Sequence, residues 1–168
     1  MMKKIVCLVF VLMLFGCSDN VDEVEKAVNL IPAAELHDLA EYTDLEEKNF
    51  EVFKAIGFEG VEYIIENRLD AYLWLSYPGC SNCQETINEI AGYAREKGIT
   101  LYYFNPKAFA SNQEEYEKLL DLFDPVLARN DEGERKVFTP ELIRFENGEF
   151  ADHHIGTGIE GLKSVIAE

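Results

Sequence analysis

The fold of this 168-residue chain is decided by residues 71 to 83, which read Ala71-Tyr72-Leu73-Trp74-Leu75-Ser76-Tyr77-Pro78-Gly79-Cys80-Ser81-Asn82-Cys83. The first six residues are almost continuously apolar, which is typical of a strand buried on both faces. Tyr77-Pro78-Gly79 predicts a sharp turn. The two cysteines then lead into a helix. Its predicted apolar stripe is Ile87, Ile90, Ala91 and Ala94, and Gly98 is expected to end it.

The segments on both sides of this stretch predict an α/β fold. Apolar spacing favours helices over residues 46–56 and 61–68 before it. After it we predict a strand over 99–104, a helix over 113–123, a helical turn over 125–129, a charged loop over 130–136, a hairpin of strands 141–145 and 149–155 joined by Asn147-Gly148, and a helix over 159–166. This order predicts a parallel crossover followed by an antiparallel pair on the same sheet.

Two cysteines at the start of the predicted helix carry the candidate chemistry. A helix N-terminus presents free N–H groups and a partial positive charge, which favour an anion. Cys80 is therefore biased toward its thiolate form, which is the nucleophile in disulfide exchange. Cys83 lies one turn later, close enough to form a ring with Cys80. The spacing predicts a reversible dithiol pair in which Cys80 attacks and Cys83 resolves the mixed disulfide.

The first seventeen residues predict an export signal. Lys3 and Lys4 provide a positive start, and residues 5–15 contain no polar residue except Cys7. That stretch is too short to span a bilayer as a mature helix. Leu14-Phe15-Gly16-Cys17 resembles the lipobox of bacterial lipoproteins, although Phe15 is bulkier than usual at its position. We expect a signal peptide over residues 1–16, lipidation of Cys17 and an anchor on the extracytoplasmic face of the cell membrane. An uncleaved N-terminal anchor is the alternative.

Processing at Cys17 changes both the cysteine count and the charge. Cys7 leaves with the signal peptide and Cys17 carries lipid, so Cys80 and Cys83 are the two thiols of the mature chain. The formal charge of the whole chain is −17, and without Lys3 and Lys4 there are 13 basic against 32 acidic residues, a charge of −19. Such a balance argues against a nucleic-acid partner and against electrostatic docking on anionic lipid.

The chain resembles the thioredoxin-like superfamily over residues 61–168. The matching features are the strand 71–76, Cys80-Ser81-Asn82-Cys83 at a helix start, Thr139-Pro140 before a hairpin, Gly148 and Gly156. The resemblance implies a central mixed sheet of about four to five strands flanked by helices. It also implies a cis peptide at Thr139-Pro140, beside the cysteines, whose backbone binds the substrate strand and keeps metals off the thiols. Pro78, with Tyr77, is expected to border the substrate groove.

Residues 18–32 are polar and acidic with few apolar residues, so we expect residues 17–45 to form a tether and N-terminal extension, and residues 46–168 the thioredoxin-like domain. The expected function is that of a membrane-tethered thiol–disulfide oxidoreductase. Its partners would be protein or peptide thiols and disulfides, together with a membrane redox partner. No organic cofactor or metal is expected, because the two cysteines carry the electrons.

Two departures from thioredoxin affect the expected chemistry. Thioredoxin has Trp-Cys-Gly-Pro-Cys, whereas here the cysteines enclose Ser81-Asn82. Thioredoxin also carries a buried acid six residues before its first cysteine, where this chain has Trp74, so Cys83 must lose its proton to water or another group. Neither Ser81 nor Asn82 is cationic. We therefore expect moderate acidity of Cys80, and a potential nearer the roughly −270 mV of thioredoxin than about −120 mV.

Other interpretations of the cysteines remain open. A structural disulfide would close too small a ring to stabilise the fold much. Zinc would need two more ligands, and the histidines are His37, His153 and His154. His153 and His154 would face opposite sides of a strand, one exposed and one half-buried, and one of them could modulate Cys80. A peroxide-reducing relative is disfavoured because Tyr77 occupies the position of a supporting Thr. A binding or accessory module for export, with a static disulfide, is the second functional hypothesis.

Overall fold

The computed structural model describes residues 30–34 and 39–167. Seven strands are present in that part of the chain: β1 (Phe53–Ala55), β2 (Ala71–Leu75), β3 (Leu101–Phe104), β4 (Ala128–Arg129), β5 (Arg135–Lys136), β6 (Glu141–Glu146) and β7 (Glu149–Ile155). The α-helices are α1 (Phe58–Glu66), α2 (Ser81–Lys97), α3 (Gln113–Leu122) and α4 (Ile159–Ala167). Short 3-10 helices cover Leu39–Glu41, Glu47–Val52 and Pro106–Phe109.

Five strands form one mixed sheet in the order β1-β3-β2-β6-β7. β3 runs parallel to both β1 and β2, while β6 pairs antiparallel with β2 and with β7. The predicted parallel crossover followed by an antiparallel pair is therefore confirmed. The α/β fold with a mixed sheet of four to five strands flanked by helices is confirmed as well.

The sheet separates two hydrophobic cores. On one face, α2 and α4 pack over Trp74 and Leu142. On the other face, α1 and α3 pack over Leu73, Leu75 and Ile143. Because side chains alternate along a strand, consecutive residues of β2 and β6 enter different cores. This alternation decides which polar groups lie beside the cysteines.

The segment before β1 differs from its prediction. In place of a helix over 46–56, a 3-10 helix ends at Val52 and the edge strand β1 follows. In β1, Phe53 and Ala55 are buried while Lys54 is exposed, so the burial alternates with the period of a strand. The apolar spacing that suggested a helix fits a 3-10 turn and this strand equally well. Further upstream, Leu39, Tyr42 and Leu45 join the first core.

The predicted helical turn over 125–129 is also wrong at its end, because Ala128 and Arg129 form β4. This strand pairs with β5, so the predicted charged loop is a small two-stranded ribbon. Asn147 and Gly148, in contrast, form the predicted hairpin turn, with φ of 51° and 74°. Such positive φ values at both positions are typical of the two-residue hairpin. No helix in the described part of the chain has the length and apolar character needed to cross a membrane.

Candidate active site

The turn between β2 and α2 places Cys80 at the N-cap of the 17-residue helix α2. Cys80 has extended backbone angles, and its Sγ accepts a hydrogen bond from the backbone N–H of Cys83 at 3.3 Å. The Cys80 N–H in turn donates to the Tyr77 carbonyl at 3.1 Å, which closes the predicted turn. The sulfur of Cys80 thus replaces the usual side-chain oxygen of a helix cap and lies at the positive end of the helix dipole.

The loop before β6 meets Cys80 from the other side of the site. The Thr139–Pro140 peptide is cis, and the Cys80 thiol donates to the Thr139 carbonyl at 3.5 Å. The Pro140 carbonyl accepts from the Gly156 N–H at 2.8 Å, so the end of β7 holds this loop. The structure therefore brings together Cys80, Cys83, Thr139 and Pro140, which lie up to 60 positions apart in the sequence.

The two cysteines differ in their exposure. Cys80 is half-buried, whereas Cys83 has no solvent-exposed surface, and both are free thiols in the structure. The pKa of Cys83 is raised to about 11, mainly by burial and also by the hydrogen bond with Cys80. Hydrogen bonds from Ser76, the Tyr77 backbone and Thr139 act in the opposite direction. Near neutral pH, Cys83 is therefore a protonated thiol behind the accessible Cys80.

A group of hydroxyls lies behind Cys83. Ser76, the residue after β2, is fully buried and hydrogen-bonds to the hydroxyl of Tyr42, which is 3% exposed. Tyr42 also bonds to Tyr103 and meets its ring edge-on, with centroids 6.2 Å apart. Neither Tyr42 nor Ser76 was predicted as a site residue from the sequence. The sequence offered two local hints of these residues: Tyr42 is an aromatic residue in a segment of ambiguous pattern, and Ser76 is a polar residue at the end of a buried strand.

A cavity of about 230 Å³ borders the site beside Thr139. Its lining residues include Tyr77, Tyr116, Val137 and Lys107. Next to Thr139, Phe138 is 46% exposed, and Leu30 is the other large apolar residue that is exposed among the described residues. Pro78 is half-buried, and its carbonyl accepts from the Gln84 side chain of α2 at 2.8 Å. The observed contact of Pro78 is thus with the helix, and its place in a substrate groove stays a prediction.

One carboxyl group is buried directly after Pro140. Glu141 is 1% exposed, and its Oε1 lies 2.7 Å from Nδ1 of His153 on the adjacent strand β7. Burial raises the pKa of Glu141 to about 7, although the bond to His153 lowers it. Glu141 pairs with Leu75, so it faces the second core, away from Cys83. The Glu141–His153 pair was not predicted from the sequence. The one local hint was the position of Glu141, a charged residue at the first position of a strand predicted to be buried.

The histidines are placed as their strand positions predicted. His153 is exposed, whereas His154 is half-buried, its ring packed against Gly158 and Gly161. The observed partner of His153 is Glu141 rather than a cysteine. His37 and the lipidation candidate Cys17 lie outside the described residues. Within residues 30–34 and 39–167, no three His, Cys, Asp or Glu side chains lie close enough together to hold a metal.

Comparisons with known proteins find similarity of fold. No family model and no curated protein sequence matches the chain. Among solved structures, a candidate oxidoreductase with a thioredoxin fold aligns over 72% of this chain and 96% of its own, at 16% identity and a TM-score of 0.49. Thioredoxin from Malassezia sympodialis aligns over 67% and 85%, at 12% identity and a TM-score of 0.47. Mitochondrial thioredoxin 3 from Saccharomyces cerevisiae aligns over 74% and 94%, at 10% identity and a TM-score of 0.46.

Proposed function

We propose that this protein is a thiol–disulfide oxidoreductase with Cys80 as the nucleophile and Cys83 as the resolving cysteine. The observation that carries the proposal is the position of Cys80. Its sulfur is half-buried at the start of α2 and lies within hydrogen-bonding distance of both the Cys83 N–H and the Thr139 carbonyl. A sulfur at a helix N-terminus with access to solvent has the environment of a reactive cysteine.

In the reductive direction, the Cys80 thiolate attacks a substrate disulfide R–S–S–R′ and expels R′S⁻, which leaves Cys80 joined to RS. Cys83 then loses its proton, and its thiolate attacks Sγ of Cys80. The Cys80–SR bond breaks, a Cys80–Cys83 disulfide forms, and RS⁻ takes up a proton from water. The substrate gains two electrons and the cysteine pair loses two. The same steps run backwards when the pair oxidises a substrate dithiol.

The Thr139–Pro140 backbone and the neighbouring cavity provide the substrate side of the proposal. The Thr139 carbonyl faces Cys80, so an extended peptide placed there would bring its sulfur to the nucleophile. Tyr77, Val137 and the exposed ring of Phe138 offer apolar contacts beside that position. We infer that the substrates are protein or peptide disulfides rather than small polar disulfides. The absence of a cation at Ser81-Asn82 supports a potential nearer about −270 mV than about −120 mV.

The direct test is insulin reduction with dithiothreitol as electron donor, using the full chain. We expect wild-type protein to accelerate the reaction, Cys80→Ala to abolish the effect, and the matched variant Ser81→Ala to retain it. In a separate incubation without dithiothreitol, reduced Cys83→Ser should accumulate a mixed disulfide with substrate, which dithiothreitol added afterwards releases. If wild-type and Cys80→Ala are equally inert and no mixed disulfide forms, the protein is instead a binding module with a static pair.

The proposed setting is the extracytoplasmic face of a bacterial membrane, with Cys17 as the lipid anchor. The support is the sequence of residues 1–17, in which Leu14 and Gly16 fit a lipobox. A tethered reductase needs a membrane electron donor, and a tethered oxidase needs an acceptor. Labelling of expressing cells with radioactive palmitate tests the anchor. Wild-type protein and the control Cys7→Ser should incorporate label and Cys17→Ser should not; equal labelling of all three would refute lipidation at Cys17.

A further inference from the structure

The resolving step poses a physical problem in this structure. Cys83 has no exposed surface, yet only its thiolate can attack the mixed disulfide. A buried charge without hydrogen-bond partners is strongly disfavoured. Donors within the core must therefore stabilise the thiolate while it exists.

The donors that reach Cys83 come from three places. Ser76 contributes its hydroxyl, Tyr77 contributes its backbone, and Thr139 bonds from the cis-proline loop. Of these, Ser76 is the fully buried side chain, and a second hydroxyl lies behind it. Tyr42 packs into the same core as Cys83 and shares a buried hydrogen bond with Ser76.

The direction of the Tyr42–Ser76 bond matters for Cys83. A serine hydroxyl has one proton to donate and two lone pairs that accept. When Tyr42 donates to Ser76, the Ser76 proton is free to point at the Cys83 sulfur. Burial keeps the pKa of Tyr42 well above its usual range, so Tyr42 stays protonated and keeps a proton that it can donate, and either hydroxyl can be the donor in the Tyr42–Ser76 bond. Hydrogen bonds in such a chain also strengthen one another.

Charged groups do not offer an alternative nearby among the described residues. Besides burial and the effect of Cys83 and Tyr42 on each other, the largest effects on these two groups come from Cys80, Ser76, Tyr103, the Tyr77 backbone and Thr139. Glu141 is the single described carboxylate that is buried, and its strand position turns it to the opposite face. Trp74, beside Cys83 in the core, has an indole N–H without a partner and cannot take up a proton.

We propose that Ser76 and Tyr42 form a hydrogen-bond chain that stabilises the Cys83 thiolate during resolution, with Ser76 touching the sulfur and Tyr42 acting as its positioning residue. The inference rests on the proposed function. The proton released by Cys83 ends on the departing substrate thiolate through water, and the hydroxyls keep theirs. Tyr42 belongs to residues 39–45, so a segment expected to be an extension supplies part of the site.

The test separates the two chemical steps. Reduced full-length protein is mixed with one equivalent of dithionitrobenzoate, and release of thionitrobenzoate is followed by stopped flow between pH 6 and 12, a range that includes the Cys83 pKa of about 11. The first phase reports attack by Cys80, and the second reports resolution by Cys83. Loss of the second phase in Cys83→Ser identifies it. If wild-type protein shows no first phase, the proposed oxidoreductase function itself fails.

Given both phases in wild-type protein, Tyr42→Phe should slow the second about tenfold at pH 7 and raise its pH midpoint by about one unit. Ser76→Ala, which removes the contact to sulfur, should slow it at least as much. The first phase should change less than about twofold in both. The matched control is Tyr102→Phe, which removes a buried hydroxyl from the same sheet on the other face.

A purely structural role for Tyr42 would alter both phases together and leave the pH midpoint in place. An unchanged second phase in both Tyr42→Phe and Ser76→Ala would overturn the inference while leaving the proposed function intact. The same holds if Tyr102→Phe shifts the midpoint as far as Tyr42→Phe does. Melting curves of all three variants establish that the measured chains are folded. If Tyr42→Phe fails to fold, Ser76→Ala decides the outcome.

Discussion

Each face of the sheet buries one titratable group next to the cis proline, and the two groups have different hydrogen-bond partners. On the first face, the Cys83 thiol is surrounded by hydroxyls and backbone groups. On the second face, the Glu141 carboxyl is paired with the imidazole of His153. Burial raises the pKa of both groups. A raised pKa by itself therefore does not distinguish a group that reacts from one that does not.

What distinguishes the faces is access to a nucleophile. Cys83 lies one helical turn behind the half-buried Cys80, which opens toward the Thr139 carbonyl. Glu141 hydrogen-bonds to His153 and lies opposite Leu75 in the sheet. In the proposed function, the reactive face is therefore defined by a second sulfur within reach, whereas the Glu141 face offers an acid whose ionisation is expected to act on stability.

The largest effect should separate the two faces by activity. We expect Cys83→Ser to lose multiple-turnover insulin reduction almost completely, because the mixed disulfide at Cys80 has no internal resolving thiol. Glu141→Gln should keep the rate within about twofold, because it changes one atom on the other face. Turnover rates with matched protein concentrations measure both. A loss in Glu141→Gln comparable to that in Cys83→Ser would break the proposed separation.

The next effect concerns stability and pH. The Glu141 pKa, about 7 in the folded protein, lies above its ordinary 4.5, so the folded state binds more protons between these values. Stability from this group is present below pH 4.5 and is lost as pH rises through 7. At pH 8, Glu141→Gln should therefore be more stable than wild-type protein by roughly 1–3 kcal/mol, with little difference at pH 4.5.

Urea unfolding at the two pH values tests this prediction. Glu149→Gln is the matched control, because Glu149 is exposed at the start of β7 and its substitution removes the same formal charge. If the control gains as much stability at pH 8 as Glu141→Gln, the effect reflects the net negative charge of the chain and not the burial of Glu141.

The contrast between the faces also shows how far sequence reasoning reaches. The β2–α2 turn, the helix end at Gly98 and the Asn147-Gly148 hairpin follow from local chemistry, and their prediction was correct. The short edge strand β1 was predicted as a helix, because only its pairing with β3 makes Phe53–Ala55 extended. The predicted placement of Cys80 at the start of α2, one helical turn before Cys83, is observed as well, whereas their catalytic role stays a prediction.

The partners of Cys83 could not be predicted in the same way. Tyr42 lies 34 positions before Ser76, and only the packing of residues 39–45 on the first core brings the two hydroxyls together. Glu141 and His153 meet through the register of β6 and β7, which places Ile143 opposite His153. Contacts of this kind depend on tertiary structure. Local sequence patterns can mark a single polar residue as unusual, but they do not show which distant residue it will contact.

A third prediction concerns a substitution that perturbs the Glu141 face without changing the Glu141–His153 pair. A Cβ on Gly148, whose φ is +74°, would lie 2.5 Å from the Ile65 carbonyl and 2.9 Å from Cα of Arg68. Gly148→Ala should destabilise the protein by about 2–4 kcal/mol, through strain and the displaced hairpin. The control Gly133→Ala, at φ +80° with open space around it, should lose less, about 1 kcal/mol. Urea midpoints at pH 7 compare the two, and equal losses would mean that contact with α1 is unimportant.

The smallest effect tests whether Glu141 and His153 are energetically coupled. The bond to His153 lowers the pKa of Glu141, so removing it should raise that pKa further. His153→Phe is expected to lower stability at pH 8 by about 0.5–1 kcal/mol, a modest value because the imidazole is 37% exposed. In the Glu141→Gln background the same substitution should have a smaller effect, because no carboxylate remains to be stabilised. A double-mutant cycle by urea unfolding measures the difference. Equal effects in both backgrounds would show that the 2.7 Å contact contributes no coupling, and the second face would then hold an isolated buried acid.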